Sequence, residues 1–180
     1  MRVITGKARG VVLKTPEGML TRPTSDRVKE ALFSIINFDL PGAAVLDLFG
    51  GTGQLGIEAL SRGAKSAVFV DAREDACRLI RENLKRTKLE CQGKAVRSDY
   101  LDYLKRTREK FDIILLDPPY AEVFLENALK CITEIDILQS GGIIVAERPV
   151  EKELPFEFEG YTRSRDYKYG KTLLTIYRKD

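Results

Sequence analysis

The sequence predicts a doubly wound α/β fold: a mostly parallel, seven-stranded sheet covered by helices, ending in an antiparallel hairpin. Three observations carry this. Five runs rich in Val, Ile, Leu and Phe alternate with segments of helical periodicity, a glycine-rich loop follows the first run, and two strand-like segments near the end are separated only by Gly170-Lys171. Strands buried on both faces need apolar residues at successive positions, which favours a parallel sheet with covered faces.

The elements follow in order. Arg2-Val3-Ile4 and Val11-Val12-Leu13-Lys14 are short extended stretches around Gly6-Lys7-Ala8-Arg9-Gly10, which reads as a basic hairpin tip. Residues 1–22 are therefore expected to be a small basic extension, an appendage to a main domain over 23–180. Thr24-Ser25-Asp26 offers helix caps, and Val28, Ala31, Leu32, Ile35 and Ile36 follow at amphipathic spacing until Pro41-Gly42. Ala44 to Phe49 is the first strand of the main domain, with a helix after its glycines through Leu55, Ile57, Ala59 and Leu60. The second strand is 67–71 and its helix 74–87; the third, weaker strand is 94–97 with a helix near 100–107. Residues 111–116 make the fourth and strongest strand, 122–134 a helix, and 142–147 the fifth strand. Tyr161 to Tyr169 and Leu173 to Arg178 leave no room for a helix between them and form the hairpin.

Composition restricts the chemistry. A chain of 180 residues with 43% hydrophobic and 32% charged residues suits one globular domain. There is no histidine, which removes Ser-His-Asp and Cys-His nucleophile systems and histidine metal ligands together. Cys77, Cys91 and Cys131 are odd in number and widely spaced, so they read as ordinary buried thiols, with neither a disulfide framework nor a zinc site. No metal is expected. The opening residues lack the apolar centre of a signal peptide and no run approaches the roughly 18 apolar residues of a membrane helix, so a soluble cytoplasmic protein is expected.

The net charge of +3 is unevenly placed. Residues 1–30 carry 7 basic and 3 acidic groups, residues 161–180 carry 6 and 2, and the segment between is net acidic. If the fold brings the ends together, they make a face suited to a polyanion; otherwise they are scattered solubilising charge.

Two motifs carry chemistry. In Asp47-Leu48-Phe49-Gly50-Gly51-Thr52-Gly53-Gln54-Leu55-Gly56, the glycines Gly51, Gly53 and Gly56 satisfy G-x-G-x-x-G at a strand-to-helix turn, where a ligand can approach the main chain. Asp71, at the end of the second strand and followed by Ala72, can accept hydrogen bonds from the hydroxyls of an adenosine ribose. NAD and S-adenosylmethionine both present such a ribose. Asp47 would repel a pyrophosphate but suits the ammonium of a methionine moiety. Asp99, before Tyr100, can accept from an adenine amino group; helix capping is the alternative role for Asp71 and Asp99.

The second motif is Asp117-Pro118-Pro119-Tyr120, directly after the strongest strand. Its prolines stiffen the loop, so a carboxylate, a carbonyl and a phenol ring project from the sheet edge. An exocyclic amine of a nucleobase is a poor nucleophile because its lone pair is delocalised. The Asp117 carboxylate and Pro118 carbonyl can accept its hydrogens while Tyr120 stacks on the base, a mechanism that requires no imidazole.

With these motifs in place, the chain resembles the class I S-adenosylmethionine-dependent methyltransferases that act on amino groups, and more narrowly the bacterial 16S ribosomal RNA guanine-N2 methyltransferases. The likeness runs through Gly6-Lys7-Ala8-Arg9-Gly10, Arg22-Pro23-Thr24-Ser25-Asp26-Arg27-Val28-Lys29-Glu30-Ala31-Leu32-Phe33, the glycine loop and Asp117-Pro118-Pro119-Tyr120. It implies a class I Rossmann-like sheet and S-adenosyl-L-methionine as cofactor, held by Thr24, Asp26, Asp47, Phe49, Gly50, Gly51, Gly53, Asp71, Ala72, Asp99 and Tyr100. It implies a guanine N2 of small-subunit ribosomal RNA as acceptor, free or within an assembling particle, with Arg2, Lys7, Arg9, Lys14 and Arg22 contacting phosphates. Two positions depart from the family: Ala8 stands where a tryptophan is frequent, and Asp71 where glutamate is common. A DNA adenine-N6 methyltransferase shares the four-residue site, and a non-catalytic nucleotide-binding module would share the glycine loop.

Overall fold

The computed structural model describes residues 1–16, 26–119, 123–154 and 158–180. In order, its elements are α1 (Asp26–Ile35), β1 (Ala44–Asp47), α2 (Gln54–Ser61), β2 (Ser66–Asp71), α3 (Glu74–Thr87), β3 (Gly93–Arg97), α4 (Tyr100–Arg106), β4 (Phe111–Leu116), α5 (Val123–Ile135), β5 (Leu138–Pro149), β6 (Tyr161–Tyr169) and β7 (Thr172–Lys179). The strands form one sheet in the order β3-β2-β1-β4-β5-β7-β6, as the doubly wound reading requires. β1 to β5 pair in parallel, and β7 inserts antiparallel between β5 and β6.

Apolar strands divide the core in two. On one face Val45, Phe69, Ile113 and Val145 pack beneath Leu32, Phe33, Ile57 and Ile80 of α1, α2 and α3. On the other, Leu46, Val70, Ile114 and Ile144 meet Leu104, Leu129 and Ile132 of α4 and α5. Side chains alternate across a strand, so each central strand feeds both layers. At roughly 1.5–3 kcal/mol for each large apolar side chain buried, this double core is the main source of stability.

Two elements differ from expectation. β5 is longer than 142–147 because a register irregularity between Phe111 and Ile113, beside Gly141 at φ 72°, lets pairing restart at Leu138. The opening hairpin, expected as an appendage, is docked on the body: Val3, Ala8 and Leu13 are buried with the core residues of α1 and α2. Its main chain is satisfied by α2. The Glu58 carboxylate accepts from the Ile4 and Thr5 N–H groups at 2.8 and 3.0 Å, and Ser61 Oγ accepts from Ala8 at 2.9 Å. Ala8 is therefore buried against α2 and not presented to solvent. Among the thiols, Cys77 and Cys131 are buried as expected but Cys91 is exposed, since it lies on the turn between α3 and β3.

The connections place chemistry at one edge. Strand order reverses between β1 and β4, and in open parallel sheets ligands bind beyond the carboxyl ends of the strands at such a crevice. Pairing of Pro149 with Thr172 brings the β6–β7 turn to the same edge, so exposed Lys168 and Lys171 share it with the N-terminal residues Met1 and Pro16 at the crevice. Among the described residues no helix is long and apolar enough to cross a membrane.

Candidate active site

At that crevice lies a cavity of about 540 Å3 walled by residues from the ends of β1, β2, β3 and β4. The glycine loop forms its floor. Gly53 takes φ 81° as it leads into α2, a left-handed conformation that residues with a Cβ rarely adopt. At Gly56 a Cβ would stand 2.2 Å from the Phe69 ring, so this glycine serves the close packing of α2 on β2. Gly50 and Gly51 reach the cavity, whereas Gly53 shapes the turn and lies outside the lining.

Four carboxylates line this space, and three of them stand at the ends of β1, β2 and β3. Asp47 is fully buried; its Oδ2 accepts from the Gly56 N–H at 3.1 Å, and among the described residues its Oδ1 has no hydrogen-bond partner. Burial pushes its pKa up to about 8, against the lowering by the Gly56 bond, and the nearby Asp117 and Asp71 charges push the same way. Without a ligand, the raised pKa favours the neutral form of Asp47 at pH 7. Asp71 holds the loop: Oδ2 accepts from Gly51 N–H at 3.0 Å and Oδ1 from Arg73 N–H at 2.9 Å. Asp99 caps α4 through Oδ1, accepting from Leu101 at 2.9 Å and Asp102 at 3.3 Å. Each carboxylate oxygen has two acceptor positions, so Asp71 and Asp99 combine these roles with lone pairs left over for a ligand.

One wall is aromatic. Phe49, Tyr100 and Phe124 cluster with ring centroids 5.2–6.3 Å apart, Tyr100 and Phe124 edge-on. Burial raises the Tyr100 phenol pKa while a hydrogen bond with Asn127 opposes it, so the phenol stays protonated. Such a wall suits a flat ring, and among the described residues the buried Asp47 Oδ1 and Gln54 Oε1 have no hydrogen-bond partner, so both can accept from a polar ligand. These features fit a ligand with an aromatic base at one end and a cation at the other.

Asp117 and Pro119 also line the cavity, with half-buried Pro118 between them. Because Asp47 pairs with Leu115, Asp117 extends past the end of β1, above the glycine loop. The prediction on Tyr120 lies outside the described residues, as do those on Thr24 and Arg22. Asp26 is described and does not line the cavity: its carboxylate lies 4.0 Å from Arg2 and from the buried ammonium of Lys29. Asp47, Phe49, Gly50, Gly51, Asp71, Ala72, Asp99 and Tyr100 all contribute to the wall. Arg2, Lys7, Arg9 and Lys14 are exposed on the docked hairpin. Sequence reasoning missed Phe124, Gln54 and Met1; Phe124 alone had a visible cue, an aromatic opening the helix that follows the Pro-Pro loop.

The sheet order is that of the class I methyltransferase fold, with the glycine loop and the strand-end acids at its crevice. The chain belongs to the family described as "Conserved hypothetical protein 95", whose model matches residues 1–178. It is 41% identical to the Bacillus subtilis protein named "Putative rRNA methyltransferase YlbH", with 99% of each chain covered. It is 34% identical to the Haemophilus influenzae "Ribosomal RNA small subunit methyltransferase D", covering 86% of this chain and 81% of that protein. The solved Escherichia coli structure titled "Putative methyltransferase yhhF" superposes with a TM-score of 0.91 at 28% identity, covering 100% of this chain and 98% of that one.

Proposed function

We propose that this protein transfers a methyl group from S-adenosylmethionine to the exocyclic N2 of a guanine in 16S, small-subunit ribosomal RNA. The observation that carries the reading is the juxtaposition of Asp117 with a cavity that ends in a buried, unpartnered carboxylate oxygen and is walled by aromatic rings. Kinship with relatives named as small-subunit ribosomal RNA methyltransferases supports the acceptor.

The cofactor supplies a sulfonium-bound methyl group. Asp71 would accept from the ribose hydroxyls, Asp99 from the adenine amino group, and the Phe49–Tyr100 wall would flank the ring, while Asp47 would ionise against the ammonium. The Asp117 carboxylate and the Pro118 carbonyl would accept hydrogen bonds from the two N–H groups of the guanine amine, which directs its lone pair at the methyl group; as the C–N bond forms and the C–S bond breaks to leave the thioether, the carboxylate would stabilise the positive charge on nitrogen and take the proton it sheds. Tyr120 stacks on the extruded base. Extrusion costs a few kcal/mol, which phosphate contacts from Arg2, Lys7, Arg9, Lys14 and Arg22 offset.

The test is transfer of tritiated methyl from S-adenosylmethionine to small-subunit particles and 16S transcript purified from a strain lacking the protein, followed by mass mapping of the product nucleoside. N2-methylguanosine at one position is expected. Label in adenine of DNA, or none in RNA, would refute the assignment.

A further inference from the structure

We propose that Asn83 is a positioning residue that couples the cofactor cavity to the RNA-facing hairpin; this rests on the reading of the hairpin just given. Asn83 sits in the C-terminal half of α3 and is fully buried. Its Oδ1 accepts from the Lys14 N–H at 2.8 Å, and its Nδ2 donates to the Lys14 carbonyl at 3.1 Å and to the Thr52 carbonyl at 2.9 Å. One amide thus holds both main-chain groups of a residue in the hairpin and a carbonyl of the glycine loop.

Both anchored segments wall the same cavity, through Met1, Pro16 and Thr52, and Thr52 Oγ1 donates to Met1 Sδ at 3.2 Å. Neighbouring turns of α3 hold the same stretch: Arg86 Nε donates to the Val12 carbonyl at 3.2 Å, and Glu82 pairs with the Lys14 ammonium at 2.8 Å. A buried polar group with both donors and its acceptor used is rigid, because any rearrangement strands a polar atom away from water. A phosphate held by Lys14 therefore orders the segment whose main chain Asn83 grips, and the second N–H passes that order to Thr52. A ligand meeting an already ordered wall loses less entropy on binding, and by linkage the effect is reciprocal.

The test is calorimetry of S-adenosylhomocysteine with the full chain, alone and with saturating 16S RNA or small-subunit particle. RNA tightens the analogue by about fivefold or more in the parent chain. In Asn83→Leu and Asn83→Asp that ratio falls to one, while each ligand alone still binds; the aspartate keeps the acceptor for Lys14 but turns a carboxylate on two carbonyls. Leu13→Ala loosens the hairpin's packing without touching the amide and keeps the ratio. A ratio of one in the parent chain, an unchanged ratio in both Asn83 variants, or an equal loss in Leu13→Ala overturns the proposal. If RNA binding is instead indifferent to neutralising Arg2, Lys7 and Arg9, the reading of the hairpin itself fails.

Discussion

Binding of a cofactor analogue should expel a proton, and that proton should come from Asp47. The carboxyl is buried near Asp71 and Asp117, and a pKa pushed up to about 8 leaves it mostly protonated at pH 7. An ammonium placed against Oδ1 reverses the preference by giving the charged form an opposite charge and a hydrogen-bond donor, so the pKa falls well below 7. Each binding event at pH 7 then releases most of one proton. Ionisation costs about 1.4 kcal/mol at pH 7 and little above pH 8, so affinity rises roughly fifteenfold from pH 6.5 to 8. The assay is calorimetry with S-adenosylhomocysteine in buffers of different ionisation enthalpy. The slope of apparent enthalpy against buffer enthalpy counts the protons, and Asp47→Asn should bring it near zero while weakening binding by about 1.5–3 kcal/mol, the worth of a hydrogen bond to a charged group. A slope near zero in the parent chain, or an unchanged slope in the variant, would refute the reasoning. The unliganded fold follows the same linkage with its own sign: an acid whose folded pKa is raised contributes stability at low pH that is lost as pH rises from about 4 to about 8.

Three further outcomes are expected. Asp117→Ala should lower turnover by at least a hundredfold in methyl-transfer assays while S-adenosylhomocysteine affinity stays within a few-fold; unchanged turnover would remove Asp117 from the amine. Neutralising Arg2, Lys7 and Arg9 together should reduce the slope of log affinity for RNA against log salt by about 2–3, and an unaltered slope would assign those charges to solubility. Glu58→Ala should cost about 3–5 kcal/mol in urea denaturation, because it removes the acceptor of the Ile4 and Thr5 N–H groups and of Arg62 Nε at 2.8 Å, and leaves the buried Lys29 ammonium with the Arg2 carbonyl and the more distant Asp26 in place of a carboxylate at 3.9 Å; a loss below 1 kcal/mol would show that the hairpin docks without it.

The sequence by itself determined the order and type of the elements, because both are written in neighbouring residues. Apolar runs such as Phe111–Leu116 can sit only between two covered faces, Glu74–Thr87 repeats at helical spacing, and Gly170-Lys171 allows nothing but a tight connection. It also placed the acids at strand ends, since a polar residue that closes an apolar run must emerge where the sheet stops. What it could not determine depends on partners far along the chain. Only the tertiary structure decided that Asp47 is desolvated and its pKa raised, since a pKa follows from burial and surrounding charge, while Asp71 and Asp117 lie 24 and 70 positions away in the chain. Only it showed that Asp26 turns to Arg2 and Lys29 and leaves the cavity, that Phe124 closes the aromatic wall, and that Asn83 joins residue 14 to residue 52. Local patterns encode which way a side chain must point along its own helix or strand; what it meets there is settled by where the rest of the chain packs.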